Sequence, residues 1–319
     1  MTIGNFSKLA LAIAIPMISA RAHAWGDTGH EVVGEIAERI LVNDEQTMMA
    51  IESIIGIEPL AIAATWPDKV RSDERFEDFA PYHFFTYFRD PNEQREQDIT
   101  TVFTKYPPLL IDSAENPAAQ AIALRFIIHM VGDAAQPLHS GNEFDRGANS
   151  CTVKLQPTAD SKPFQTNLHK AWDTDLINAM INQWKKENPS IKYFGASDIA
   201  RILMSKHADI LTAPTSINHN DWIKEGIALE KAGVVYPDTL PEDARPYCSK
   251  KASELGQDEI PVLGPEYFAA SRTIIEKQLV KGGVRLAAFL KAILKNRVFT
   301  PIDDDKILES LKKKNSTKG

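Results

Sequence analysis

One helix-length segment places two ionisable side chains inside an otherwise apolar run, and that run limits what the chain can fold into. Asn116-Pro117 reads as a helix cap followed by proline in the first turn, and Gln136-Pro137 closes the segment after Ala135. Within it, Ile127-Ile128-His129-Met130-Val131-Gly132-Asp133 puts His129 and Asp133 four residues apart, on one helix face. A carboxylate buried in such surroundings without a partner is costly, and a bound dication would offset that cost. Zinc favours the imidazole and carboxylate donors offered here.

Helical periodicity dominates the rest of the chain. Residues 29–42 carry Val32, Val33, Ile36, Ala37 and Ile40 on one face, and 45–55 repeat the pattern between Asp44 as cap and Gly56 as stop. Further helices are expected at 166–186, 196–212, 218–232 and 264–296, with a short one near 304–313. Segments 56–115 and 234–263, rich in proline and turn residues, read as long loops packed on the helices. No internal repeat and no alternation long enough for a large sheet is present. The expected fold is all-α, a single compact multi-helix domain with long loops over 25–300, followed by a tail over 301–319 that holds Lys312-Lys313-Lys314.

Residues 1–24 read as a secretory signal peptide: Lys8, an apolar run from Leu9 to Ser19, then Ala22-His23-Ala24 as a cleavage site. The run is too short to span a bilayer. Export to a periplasm or to the outside is therefore expected, with no stable membrane association and a monomeric product. Removing 24 of 319 residues leaves 295, beginning at Trp25. The formal charge of −7 becomes −9 once Lys8 and Arg21 leave. So acidic a protein is not a general binder of phosphate backbones, and a polyphosphate must be attracted locally. Cys151 and Cys248 are the only cysteines, so a cysteine-built zinc site is excluded, while one disulfide is left open.

The remaining histidines extend the first pattern. His139 lies just past the end of the 117–135 helix, and His169 with Asp173 repeats the four-residue spacing. Two such pairs on facing helices can build a metal site in a bundle core. Trp66-Pro67-Asp68 and Pro81-Tyr82-His83-Phe84 each add a donor among aromatics. At Trp25-Gly26-Asp27-Thr28-Gly29-His30 a freed α-amino group and its own carbonyl can chelate, with His30 close by.

Taken together, these motifs resemble the trinuclear-zinc nucleases of fungi, plants and bacteria (the P-one/S-one nuclease type), relatives of bacterial zinc phospholipase C. The resemblance implies a cofactor of three zinc ions. Asp68, His83, His129 and Asp133 would hold one. The amino group and carbonyl of Trp25, His30 and a bridging Asp133 would hold the second, and His139, His169 and Asp173 the third. Arg71 matches an arginine that contacts the scissile phosphate, and Phe84 an aromatic that stacks a base. Asp145-Arg146-Gly147-Ala148-Asn149 resembles a loop of the form Asp-x-Gly-Gly-Asn that shapes the base pocket, with Asp145 and Asn149 at its ends.

The implied activity is hydrolysis of single-stranded RNA or DNA to 5′-phosphate nucleotides, with 3′-nucleotidase activity, by a hydroxide held between two zinc ions. Its substrates would be single-stranded nucleic acid and 3′-nucleotides. Two departures stand out: Ala148 replaces the second glycine of the loop, and Thr86 stands where an acidic residue is common. A phosphatidylcholine-directed phospholipase C is the first rival, but its last motif is His-x-x-x-Glu rather than His169-x-x-x-Asp173. A non-catalytic zinc-binding surface protein is the second. Trp172 and Trp222 read as core residues, and His207 and His219 as surface or capping residues.

Overall fold

The computed structural model describes residues 25–295 apart from 89–91, 113–115, 192, 237–244, 249 and 251. The expected signal peptide and the short helix near 304–313 lie outside the described residues. Helices form the body, in chain order α1 (Asp27–Leu41), α2 (Glu45–Ile55), α3 (Leu60–Ala63), α4 (Trp66–Val70), α5 (Ile99–Asp112) and α6 (Pro117–Asp133). After them come α7 (Leu168–Lys170), α8 (Leu176–Glu187), α9 (Ala196–Lys206), α10 (Ala208–Thr212), α11 (His219–Lys231), α12 (Arg245–Cys248) and α13 (Pro265–Leu294). Among the described residues no single helix is long and apolar enough to cross a membrane.

Helix α6 is the axis of the molecule. The Asn116 side chain accepts from the Ala119 amide at 3.1 Å, capping it as the sequence indicates. Every residue from Phe126 to Asp133 is buried. Helix α13, 30 residues and about 45 Å long, lies against α1, which in turn touches α3, α6 and α9. The α1–α13 contact is close because Gly282 and Gly283 face Val33 and Ile36. A methyl group added at Gly283 would overlap the Ile36 side chain.

The expected loop over 56–115 is corrected by the structure. It holds α3, α4, a 3₁₀ segment (Glu74–His83) and the 14-residue α5, with Pro107 and Pro108 inside the last. Ile99, Val102, Phe103, Tyr106 and Leu110 form the buried face of α5. Packing of that face outweighs the helix-breaking tendency of proline. The expected helix over 166–186 begins instead as a strand, and the one over 196–212 divides at His207.

Small sheets do occur. Strands β1 (Phe85–Tyr87) and β2 (Ser140–Asn142) pair in parallel, with Phe85 opposite Ser140. Strand β3 (Thr152–Leu155) pairs antiparallel with β4 (Phe164–Asn167) and parallel with β5 (Val262–Leu263). A disulfide joins Cys151 to Cys248, the pairing left open by the sequence. Trp172 and Trp222 are core residues as expected. His207 is not at the surface: it ends α9, is buried, and lies 3.2 Å from Oε2 of Glu276. His219 begins α11 half-buried and stacks on Phe103.

Candidate active site

Donors from several elements converge at the C-terminal half of α6. Helix α1 presents His30 from its first turns, α4 presents Asp68, and the 3₁₀ segment Glu74–His83 ends on His83. A second 3₁₀ turn, Pro137–His139, ends on His139. Pairing of β1 with β2 brings these last two near each other, His139 immediately before β2 and His83 two residues before β1. His169 and Asp173 come from α7 and the π-helical turn Ala171–Asp175 that follows it.

Three sets of donor atoms lie within 4.8 Å of one another: His30, His129 and Asp133; Asp68, His83 and His129; and His139, His169 and Asp173. Asp133 is central, with Oδ1 3.1 Å from His30 Nε2 and Oδ2 3.0 Å from His83 Nδ1 and 3.3 Å from His129 Nε2. A fourth set, Asp145 with Cys151 and Cys248, is closed to metal because its sulfurs form the disulfide. Trp25 is fully buried, and the Gly26 amide donates to the Asp173 carbonyl at 2.7 Å, tying the start of the described chain to the third set.

The donor chemistry fits dications. Both carboxylate oxygens of Asp68, Oδ1 of Asp133, Oδ2 of Asp173 and Nε2 of His139 are buried without a hydrogen-bond partner. Such atoms are rarely left so unless something else meets them. Meanwhile the second nitrogen of three histidines is fixed. Nδ1 of His129 donates to the Ala64 carbonyl at 2.6 Å, His139 to His83 at 2.5 Å and His169 to Gly147 at 2.5 Å. A carbonyl can only accept, so Nδ1 carries a proton in each ring and Nε2 is the atom turned to the cluster, the arrangement that metal-ligating histidines use. Gln136, expected only to end a helix, donates from Nε2 to Oδ1 of Asp173 at 2.5 Å. Its place between Asp133 and His139 was the one signal available.

Burial and mutual charge set the protonation of the cluster. Burial drives His30 and His139 down, His83 to about 4 and His169 to about 3, so these rings are neutral donors near pH 7. Burial also opposes the charge on His129, but Asp133 and Asp68 outweigh it and hold that ring at about 9. Burial would raise Asp133 as well, yet His129 and His139 keep it well below the carboxylate range. Burial prevails at Asp173 and pushes it well above. Without cations the cluster thus retains protons that dications would replace.

Above this floor lies a cavity of about 390 Å³ whose lining includes Arg71, Phe84, Thr86, Arg95, Arg146 and Asn149. Arg71 ends α4 with Nη1 4.0 Å from Asp68 Oδ1, and it is Arg75 that pairs with Asp73. Phe84 is half-buried. The loop beyond β2 turns through left-handed backbone at Arg146, Gly147 and Ala148 (φ 59°, 61° and 62°). Asp145 holds that turn from behind: Oδ1 accepts from the Ala148 amide at 2.8 Å, and Oδ2 accepts from Tyr236 and Asn142. Glu230, buried behind the loop, accepts from Tyr87 at 2.8 Å and from Asn142 at 3.1 Å. The Asn149 amide bonds back to the Arg146 carbonyl.

A family profile described as S1/P1 Nuclease matches residues 25–295. The chain belongs to the S1/P1 nuclease family. It is therefore a hydrolase of phosphodiester bonds. Among curated relatives it is 26% identical to Endonuclease 4 of Arabidopsis thaliana over 91% of this chain and 94% of the relative. It is 27% identical to Nuclease S1 of Aspergillus oryzae, over 89% and 97% respectively. Nuclease P1 of Penicillium citrinum is 27% identical, over 84% and 97%. The S1/P1 profile begins at Trp25 and ends at Lys295, so the donors from His30 to Asp173 all fall inside the matched span. Of the residues named from the sequence, Trp25 is buried, Asp145 is turned into the protein, and Arg71, Phe84 and Asn149 line the cavity.

Proposed function

We propose that the protein is a zinc-dependent nuclease that cleaves single-stranded RNA or DNA to 5′-phosphate nucleotides and removes phosphate from 3′-nucleotides. The observation that carries this reading is the convergence of three donor sets around Asp133, beneath a cavity edged by arginines. Asp68, His83, His129 and Asp133 would hold one zinc; Trp25 through its amino group and carbonyl, with His30 and Asp133, a second; His139, His169 and Asp173 a third. Bound zinc supplies an ionised water near neutral pH and positive charge for the departing 3′ oxygen.

The chain's own residues do the rest. Arg71 donates charge-assisted hydrogen bonds to a non-bridging phosphate oxygen. Phe84 stacks a base, which requires that base to be unpaired and so favours single strands. Asn149 offers polar contacts to that base, and Asp145 shapes the loop from behind. The Nδ1 hydrogen bonds of His129, His139 and His169 hold the rings in one tautomer while substrate binds. The proposed mature protein starts at Trp25 after removal of 1–24, is secreted or periplasmic, monomeric and not membrane-associated. Its nuclease domain spans 25–300, with 301–319 as a tail.

The test is hydrolysis by protein beginning at Trp25, offered single-stranded DNA, RNA, a 3′-nucleotide and phosphatidylcholine side by side. Nucleotide release that stops with chelator and returns with zinc is expected. Cleavage of the lipid alone would replace this reading with the phospholipase one.

A further inference from the structure

The cavity edge beside Phe84 carries a group that the reading above does not use. Arg95 is exposed, its guanidinium carbon lies 5.1 Å from the centroid of the Phe84 ring, and its Nε donates to Thr86 Oγ1 at 3.2 Å. Phe84 and Thr86 are two residues apart along an extended segment, so their side chains leave on the same side. The guanidinium lies over the face of that ring, so a base that takes its place on Phe84 leaves Arg95 and Thr86, which line the same cavity, at its edge.

The hydrogen-bonding character of that edge can be counted. A guanidinium only donates, and Thr86, which accepts from Arg95, keeps its hydroxyl proton to give beside one remaining lone pair. The neighbouring Asn142 cannot rebalance the edge, since its amide is taken by Asp145 and Glu230 and its oxygen by the amides of Phe144 and Asp145. Acceptor atoms are carried instead by a different segment, at Asn149 and Glu143, both of which line the cavity. The donors of Arg95 therefore outnumber the acceptors on the β1 side of the pocket.

We propose that Arg95 is a specificity-determining residue that makes the pocket prefer bases presenting adjacent acceptors, guanine above all, over adenine. Guanine offers O6 and N7 side by side, the pair that an arginine fork engages, whereas adenine places an amino group in the same position and would set donor against donor. The inference rests on the nucleotide reading given above and deepens it at the base site.

The experiment measures kcat/KM of the zinc-loaded protein on the 3′-monophosphates of guanosine, inosine and adenosine. Inosine keeps O6 and N7 but lacks the 2-amino group. The expected result is a preference for guanosine over adenosine of roughly 10-fold or more, with inosine close to guanosine. Arg95→Ala brings the ratio to about one, and Arg95→Glu reverses it in favour of adenosine. A ratio near one in the unmodified protein, or a ratio that survives Arg95→Ala, overturns the proposal while leaving the nuclease reading intact. Inosine behaving like adenosine would move recognition to the 2-amino group and also overturn it. No hydrolysis of any of the three would overturn the nucleotide reading itself, and this inference with it.

Discussion

His30 and His129 stack ring on ring, with centroids 3.8 Å apart and planes 12° from parallel, and Asp133 reaches both through Nε2. Two helices that are remote in sequence are thereby brought to one carboxylate. Neither nitrogen of His30 is aligned for a hydrogen bond, although Nε2 comes within 3.1 Å of Asp133. That proximity without alignment is what a shared cation between the donors would require.

Asp133→Asn is accordingly expected to remove more than a single contact. An amide keeps the shape but loses the charge that two proposed zinc ions share. Activity should fall more than about 100-fold, with metal content below that of the unmodified protein, because even changes outside the ligand set cost 10- to 100-fold. A folded, fully loaded variant with near-normal turnover would refute the bridging role.

The burial of Trp25 gives a second expectation. Trp25 is inaccessible and the Gly26 amide is engaged by Asp173. A protein made with one extra residue before Trp25 should bind about two zinc ions rather than three, read by elemental analysis after dialysis. Three tightly held ions in such a protein would remove the amino group from the ligand set.

Gly147→Ala tests the loop that steadies His169. Gly147 sits at φ 61°, and an added methyl would run into the Leu138 carbonyl. The left-handed backbone alone costs about 1–2 kcal/mol for a residue with Cβ. The overlap adds to it, so a loss of at least about 2 kcal/mol in denaturant unfolding is expected. Weaker metal binding should accompany it, because the Gly147 carbonyl orients the His169 ring.

Glu230 sets a pH dependence of stability. Burial, opposed by its bonds from Asn142 and Tyr87, raises its carboxyl from 4.5 to about 7. Between those values the folded state holds a proton that the unfolded state has released, so stability is highest below 4.5 and declines as pH rises towards 7. The shift corresponds to roughly 3 kcal/mol at most. Glu230→Gln should lose this slope, gaining on the unmodified protein by about 2–3 kcal/mol between pH 4.5 and 8. Parallel stability curves for the two proteins would show that Glu230 titrates normally.

Much of this architecture is legible in the residues themselves. Asn116-Pro117 announces α6, and charged residues set in its apolar run identify where partners must gather. Helix α5 was equally readable from Ile99, Val102, Phe103, Tyr106 and Leu110, whose spacing is helical, but Pro107 and Pro108 argued the other way and packing overruled them. The short strands β1 and β2 leave little trace, since three residues give no period to detect. Gln136 and Arg95 could not be assigned from spacing, because each acts through a contact with a residue distant along the chain or across a turn.

The glycine pair of α13 gives helix α1 a second role. Ile36 lies about 9 Å along the helix from His30, and the same rigid rod carries both. The seat at Gly282 and Gly283 therefore sets how closely α1 approaches α13, and with it where the His30 imidazole stands. The placement of a donor histidine is in part written in residues that have no side chain and no donor atom.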